Sequence, residues 1–454
     1  MPLLTEQNRK WWILAAMGGV LGLVVLDEMV VGVALPTMRR DLSMSEITSH
    51  WVVNAYLLVF TCLSAVGGKL GDIFNIRRLI CIGVAIFGVA SLACGLASSP
   101  ATLITARAVQ GLGAAIIFPN GIALINQVFP PEQRGLAFGI QTACGGTFMA
   151  LGPLVGGFFT ETLSWRWIFW INIPAIIIIT LILILAKTKD EAQSGSRKPF
   201  DFLGLSLLIP GLTALVLGFM QAPDWGWTST VTLSLLAGGA VVTTLFVITE
   251  LRKPSPLIEL DLLKVHPFFN GNYMIFVAQI DKATLVVFGA LYIQRHLDMT
   301  ALQAGLALTP AVIPLTFVAI IAGKFCDRFG NRGPALYGAG MNAAAIIAFG
   351  IGATFDSYYA ILPALLMWGC SLPFVFVPAR HALMSAIPHH KSGQAGGINL
   401  TAQFLGSTVG ITIGSALLAM TQNFPLIFLV AGSIAMTSLI TTFFSKRATH
   451  PSSP

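Results

Sequence analysis

Five ionisable side chains stand inside long apolar runs: Asp27 and Glu28 in one, Arg107 in another, and the adjacent Asp281 and Lys282 in a third. An ionised group at the centre of a bilayer costs at least about 2.5 kcal/mol, so acids kept there face a wet cavity, pair with a cation or carry protons. Neighbours on a helix point about 100° apart, so one of Asp27 and Glu28 can face a cavity while the other packs sideways. Asp27 suits proton exchange, with a static ion pair as the plain alternative. Glu28 suits contact with a substrate. Asp281 admits two readings, a second titrating or cation-attracting group in a central cavity, or a partner in a helix tie that neutralises charge. Lys282 argues against a cavity that seeks cations only.

The elements that must position these groups are membrane spans. The chain has 454 residues, 55% hydrophobic, with only 26 Lys and Arg and 19 Asp and Glu. Soluble proteins carry about 25% charged residues, against 10% here, and the mean hydropathy is +0.81. So little charge cannot cover the surface of soluble domains. The 45 glycines fit membrane helices as well. Disorder, a collagen-like fibre, a disulfide scaffold and a nucleic-acid binder are excluded. The six cysteines are scattered singly, with no metal-ligand spacing, and no disulfide or metal site is expected.

About 20 apolar residues cross a 30 Å hydrocarbon core. That rule places fourteen spans, at about 11–35, 51–68, 79–97, 101–128, 136–160, 166–186, 203–221, 231–250, 268–293, 302–323, 335–354, 358–379, 393–420 and 424–445. The first is too long for the core of a signal peptide and reads as a retained span. With the N-terminus in the cytoplasm, inside segments carry twenty Lys and Arg and outside segments four; Arg107 and Lys282 inside spans complete the 26. This bias sets both termini in the cytoplasm of a multi-pass protein of the cytoplasmic (inner) membrane. Two polar linkers, after spans six and eight, divide the chain. Residues 1–187 form an N-terminal six-helix bundle, 188–201 a cytoplasmic linker and 202–250 two inserted spans. A second linker, 251–267, leads to a C-terminal six-helix bundle, 268–446, and a cytoplasmic tail, 447–454.

An internal repeat supports two related halves. Gly68-Lys-Leu-Gly-Asp72-Ile-Phe-Asn75-Ile-Arg77-Arg78 follows span two, and Gly323-Lys-Phe-Cys-Asp327-Arg328-Phe-Gly330-Asn-Arg332 follows span ten. Related halves are the usual construction of secondary transporters, with the substrate site between them near the midplane. The repeated loop resembles the loop motif of the major facilitator superfamily. Arg107-Ala-Val-Gln110-Gly111 resembles its RxxQG motif, and Gly152-Pro153-Leu-Val-Gly156-Gly157 its antiporter motif. Leu26-Asp27-Glu28 through Pro36 resembles the span-one signature of the fourteen-span drug:proton antiporters. The departures are Ile73 and Asn75 in the first loop and Glu28 and Gly32 in span one. Asn75 still tolerates a left-handed turn.

The resemblance implies an all-α polytopic membrane protein, with the major facilitator fold of two six-helix bundles plus two linker helices. Spans one and four are then neighbours, and Arg107 is a partner for Asp27. Their pairing favours the ionised carboxylate and their separation favours its protonation, a proton switch tied to conformation. Asp27, Arg107 and Asp281 are the expected proton-coupling residues. Glu28, Asn54, Gln141, Gln279, Asp281, Tyr292, Trp368 and Asn399 are the expected substrate-cavity residues, though such polar groups serve as interhelical hydrogen bonds too. Gly68, Asp72, Arg77, Arg78, Gly323, Asp327 and Arg328 form the expected cytoplasmic gate, which latches the halves in an outward-facing state. Gly152, Pro153, Gly156 and Gly157 kink span five and either seal a leak path or simply pack it tightly. Trp165, Trp167 and Trp225 read as interfacial anchors.

The expected function is proton-driven export of small amphipathic or cationic compounds by alternating access. It uses a small-molecule substrate, protons and membrane lipid, with no nucleic acid, no enzyme chemistry and no cofactor beyond the proton gradient, as a monomer. No GK[ST] phosphate loop is present, which argues against ATP-driven pumping. Two rivals are a dedicated exporter of a metabolite such as a siderophore, anionic by the sign of Lys282 and Arg295, and a transport-dead membrane sensor.

Overall fold

The computed structural model describes residues 8–186, 201–253 and 256–445. Most of linker 188–201, the tail 447–454 and six of the basic residues counted above (Lys187, Lys189, Arg197, Lys198, Lys446 and Arg447) lie outside those residues. Fourteen helices are long and apolar enough to cross a membrane, and no strand occurs among the described residues. In chain order they are α1 (Arg9–Asp41), α2 (Glu46–Ile73), α3 (Ile76–Gly95), α4 (Pro100–Val128) and α5 (Arg134–Thr162). Next come α6 (Trp167–Leu185), α7 (Phe202–Trp225), α8 (Thr230–Arg252) and α9 (His266–His296). The last are α10 (Ala301–Phe329), α11 (Arg332–Gly352), α12 (Tyr358–Ser385), α13 (Ser392–Thr421) and α14 (Phe424–Phe444).

Several helices overrun the apolar segments, because their ends are fixed by capping rather than by hydropathy. The side chains of Ser45, Asn75, Ser99, Asp201, Ser229, Thr300 and Asn423 each accept an N–H of the following first turn. Arg39 and Arg40 end α1, whose last turn closes on the backbone N–H of Leu42, instead of lying in a loop. Arg380, counted above in a loop, is a buried residue of α12.

The helices group into two compact units. The first holds 1–129, 144–260 and 388–401; the second holds 130–143, 261–387 and 402–454. Two helices divide between them: α5 passes into the first unit after Ala143, and α13 into the second after Thr401. The inserted pair α7–α8 belongs to the first unit. Leu208 and Phe246 of that pair share a core with Ala65 and Val66 of α2 and with Leu257 and Ile258 of the second linker.

That linker is tied down by polar contacts. Glu250 Oε2 accepts the Ile258 N–H at 2.8 Å, Gln394 Nε2 donates to the Leu257 carbonyl, and Lys391 pairs with Glu259. Asp201, at the start of α7, accepts the Gly204 N–H at 2.7 Å and pairs with Lys253 at 2.5 Å. Burial pushes the Asp201 carboxyl up, but these donors outweigh it and hold the group below the usual carboxylate range. Replacing Glu250 by Ala leaves a buried N–H unpaired, which costs about 1–3 kcal/mol. The expected result is a lower unfolding midpoint in detergent. An unchanged midpoint would show that Glu250 does not anchor the linker.

Trp165 is a correction. It is 2% exposed, its indole N–H donates to Asp41 Oδ2 at 2.8 Å, and the Arg166 guanidinium lies 4.3 Å from its ring centre. It packs in the core with Val30, Val31 and Phe169 instead of sitting at an interface. Trp167 and Trp225 are exposed at 43% and 37%.

Candidate functional site

Asp27 is the centre of a buried polar cluster in the first unit. It is 0% exposed, and its Oδ2 accepts Arg107 Nη1 at 2.5 Å. Gln110 Nε2 donates to Oδ1 at 2.8 Å, while Gln110 Oε1 accepts from the same Arg107 nitrogen at 2.6 Å. Arg107 and Gln110 are three residues apart and so share one face of α4, which explains the spacing of the RxxQG motif. Arg107 Nε is anchored on the Val52 carbonyl of α2 at 3.0 Å, and its guanidinium lies 4.3 Å from the Tyr56 ring centre. Asn172 Nδ2, in the second turn of α6, reaches Asp27 Oδ1 at 3.4 Å and Ser91 Oγ of α3 at 3.2 Å. Five helices therefore contribute to holding one carboxylate. Ser91, Tyr56 and Asn172 were not singled out around Asp27, since single polar residues in apolar runs carry no label of their neighbours.

Glu28 points elsewhere. It is half-buried, and Gly32 and Pro36, one and two turns beyond it, are exposed. A side chain at Gly32 would meet nothing within 4 Å. That face of α1 is open from Glu28 to the end of the helix. On another face, α5 is packed close: a Cβ at Gly152 would strike Met29, and one at Gly156 would crowd Val30 and Val33. The antiporter motif thus backs the helix that carries Asp27. Pro153 is exposed and Gly157 has open space.

The repeated loop acts identically in both units. Asp72 accepts the N–H groups of Gly393 and Gln394 at 2.7 and 2.8 Å, at the start of α13. Asp327 accepts those of Gly135 and Leu136 at 2.7 and 2.8 Å, at the start of α5. Each carboxylate caps a positive helix end and takes two N–H groups that have no partner within the helix. Gly68 and Gly323 permit this approach, since a side chain there would overlap the carbonyls of Gly393 and Gly135. Arg77 donates to the Ile184 carbonyl at 2.9 Å. Arg78 and Arg328 are exposed.

The remaining candidates are dispersed. Asn54 reaches Gln221 of the inserted α7 at 3.5 Å. Gln279 of α9 bonds Gln403 of α13 at 3.1 Å. Gln141, Asn399 and Trp368 are buried. Tyr292 is fully buried; its hydroxyl donates to the Ala353 carbonyl, and its ring packs on Phe349 and Phe424. It is a packing residue of the second unit, because its one polar atom is already satisfied. Asp281 does not meet a cation. It is 0% exposed and accepts the Asn342 amide of α11 at 2.5 Å.

A polytopic helical protein with a duplicated loop motif and a buried acid–base cluster is the build of a membrane transporter. A family model described as Major Facilitator Superfamily matches residues 17–411, with a second match over 276–454, and the chain belongs to that family. It is 33% identical over 412 residues to the puromycin resistance protein pur8 of Streptomyces alboniger, covering 89% of this chain and 81% of that protein. It is 34% identical over 399 residues to the cephamycin export protein CmcT of Amycolatopsis lactamdurans, covering 86% and 81%. Among solved structures, the proton:xylose symporter XylE shares the fold with a TM-score of 0.69, at 16% identity and over 97% of both chains.

Proposed function

We propose that the chain is a proton-coupled exporter of small amphipathic compounds, of the multidrug-efflux type, working by alternating access across the cytoplasmic membrane. The relatives named for puromycin resistance and cephamycin export support the direction and kind of cargo. The observation that carries proton coupling is the isolation of Asp27: a carboxylate with no exposed surface, held by one guanidinium and two side-chain amides. While Arg107 is in place the ionised form is compensated. Movement of α1 against α4 that parts the pair, with water reaching it, makes protonation the cheapest way to keep the acid in the membrane.

Glu28 on the open face of α1 is the first contact for substrate. Asp72 and Asp327 release the starts of α13 and α5 when the cytoplasmic side opens. The working unit is a monomer, with both termini cytoplasmic, lipid around it and no cofactor beyond the proton gradient.

Asp27→Asn tests this directly. The variant keeps the size of the side chain and one of its two acceptor oxygens, and loses the exchangeable proton. Everted vesicles should contain normal amounts of the protein yet show no export driven by a pH gradient and no substrate-dependent proton release. Transport at the wild-type rate would remove Asp27 from the mechanism.

A further inference from the structure

Asp281 and Lys282 are neighbours in the chain but not partners. The Asp281 carboxylate turns to Asn342, while Lys282 leaves the helix about 100° away. Lys282 is half-buried and has no carboxylate or other acceptor among the described residues. An ammonium at this depth is costly unless water or an anion meets it.

Its helix face shows where it looks. Phe268, Gly271, Ile275, Lys282 and Val286 form one stripe of α9. Toward His266 the stripe is shut against α12: Phe268 and Ile275 are fully buried, and a side chain at Gly271 would meet the Ala379 carbonyl and Leu383. Toward His296 it opens, and Val286 is 39% exposed. Just past Lys282, Leu285–Gly289 wind as a single π-turn. Such widened turns collect at functional sites.

A second donor stands at the same level. Eleven residues make close to three helical turns, so Lys282 lies on the face of Gly271, three turns along. Trp368 lies on the face of Ala379, three turns along α12, which runs antiparallel to α9. The register thus places Lys282 and Trp368 on the stripes that these two helices turn toward each other, within one unit. Trp368 is 2% exposed, and its indole N–H has no acceptor among the described residues. Farther in on α12, Arg380 is 6% exposed, lies over the Phe376 ring and has no carboxylate partner among the described residues.

We infer that the transported compound is an amphipathic organic acid whose carboxylate docks between the Lys282 ammonium and the Trp368 indole N–H. The inference rests on the export reading above and adds the charge and the docking atoms.

The test uses the full-length protein in everted vesicles and two probes with one fluorophore, dansyl-aminohexanoate and dansyl-cadaverine, which differ in the sign of their charge. Wild type should export the acid in preference to the amine. Lys282→Gln should reduce that preference at least about tenfold, the loss of one charge-assisted contact. Lys282→Arg should retain it, and Trp368→Phe should weaken it several-fold while keeping the packing. Export of the amine alone, or acid export indifferent to Lys282→Gln, overturns the inference and leaves the exporter intact. A wild type that moves neither probe overturns both. Asp27→Asn should stop both probes alike, which separates lost coupling from lost docking.

Discussion

Arg107→Met is expected to destabilise the folded protein by about 3–5 kcal/mol, the cost of leaving a buried charge without its partner. Asp27 has no exposed surface, and its other donors, Gln110 and Asn172, are neutral amides. No second cation bonds it among the described residues. The double variant Asp27→Asn/Arg107→Met should recover most of the loss, since removing both charges of a buried pair is often close to neutral. It should remain unable to couple export to protons. Unfolding midpoints of the three variants in detergent measure this. A single variant as stable as wild type, or a double variant as weak as the single, would show that the pair is not what holds α1 to α4. The cycle separates the two roles of Asp27, because a stable but uncoupled double variant assigns proton exchange to the acid and not to the integrity of the helix pair.

Asp72→Ala and Asp327→Ala should have the next largest effects, and local ones. Each removes an acceptor of two backbone N–H groups, at Gly393 and Gln394 or at Gly135 and Leu136. A hydrogen bond to a charged group contributes about 1.5–3 kcal/mol. Amide exchange at those positions should therefore accelerate roughly 10- to 150-fold, with tenfold for each 1.4 kcal/mol. The two variants should act on different helix starts, Asp72→Ala on α13 and Asp327→Ala on α5. Exchange at 393 and 394 that is unchanged in Asp72→Ala would mean that those amides are protected by helix packing alone, and the gate role would pass from the carboxylates to the glycines Gly68 and Gly323.

The exchange experiment also bears on why the loop motif was readable. A Gly–x–x–x–Asp turn is local: glycine is required where a backbone touches, and the acid lies one turn further along the same helix face. Both repeats could be placed from spacing, and the structure shows each doing the same task. The Asp27–Arg107 pairing needed the family resemblance, because eighty residues separate the two and nothing local links them. Asn172 and Ser91 carried no such signal. Trp165 was misassigned for a related reason. Its aromatic body suits a membrane interface, but Asp41, at the far end of α1, accepts its N–H while the ring packs in the core.

Amino-acid order alone determined the fourteen apolar helices and the duplicated loop motif, since apolar length and motif spacing are properties of contiguous residues. It could not say which way each buried polar group turns. Helices that are apolar on every side have no pattern to tell lipid face from bundle face. Only packing decided that Asn342 takes Asp281, that Gln221 takes Asn54, and that the buried Trp368 N–H is left without an acceptor among the described residues. A turn of 100° separates neighbours in the chain, and that rotation, visible only once the helices are assembled, distinguishes an acid bonded to an amide from a cation without a counter-ion.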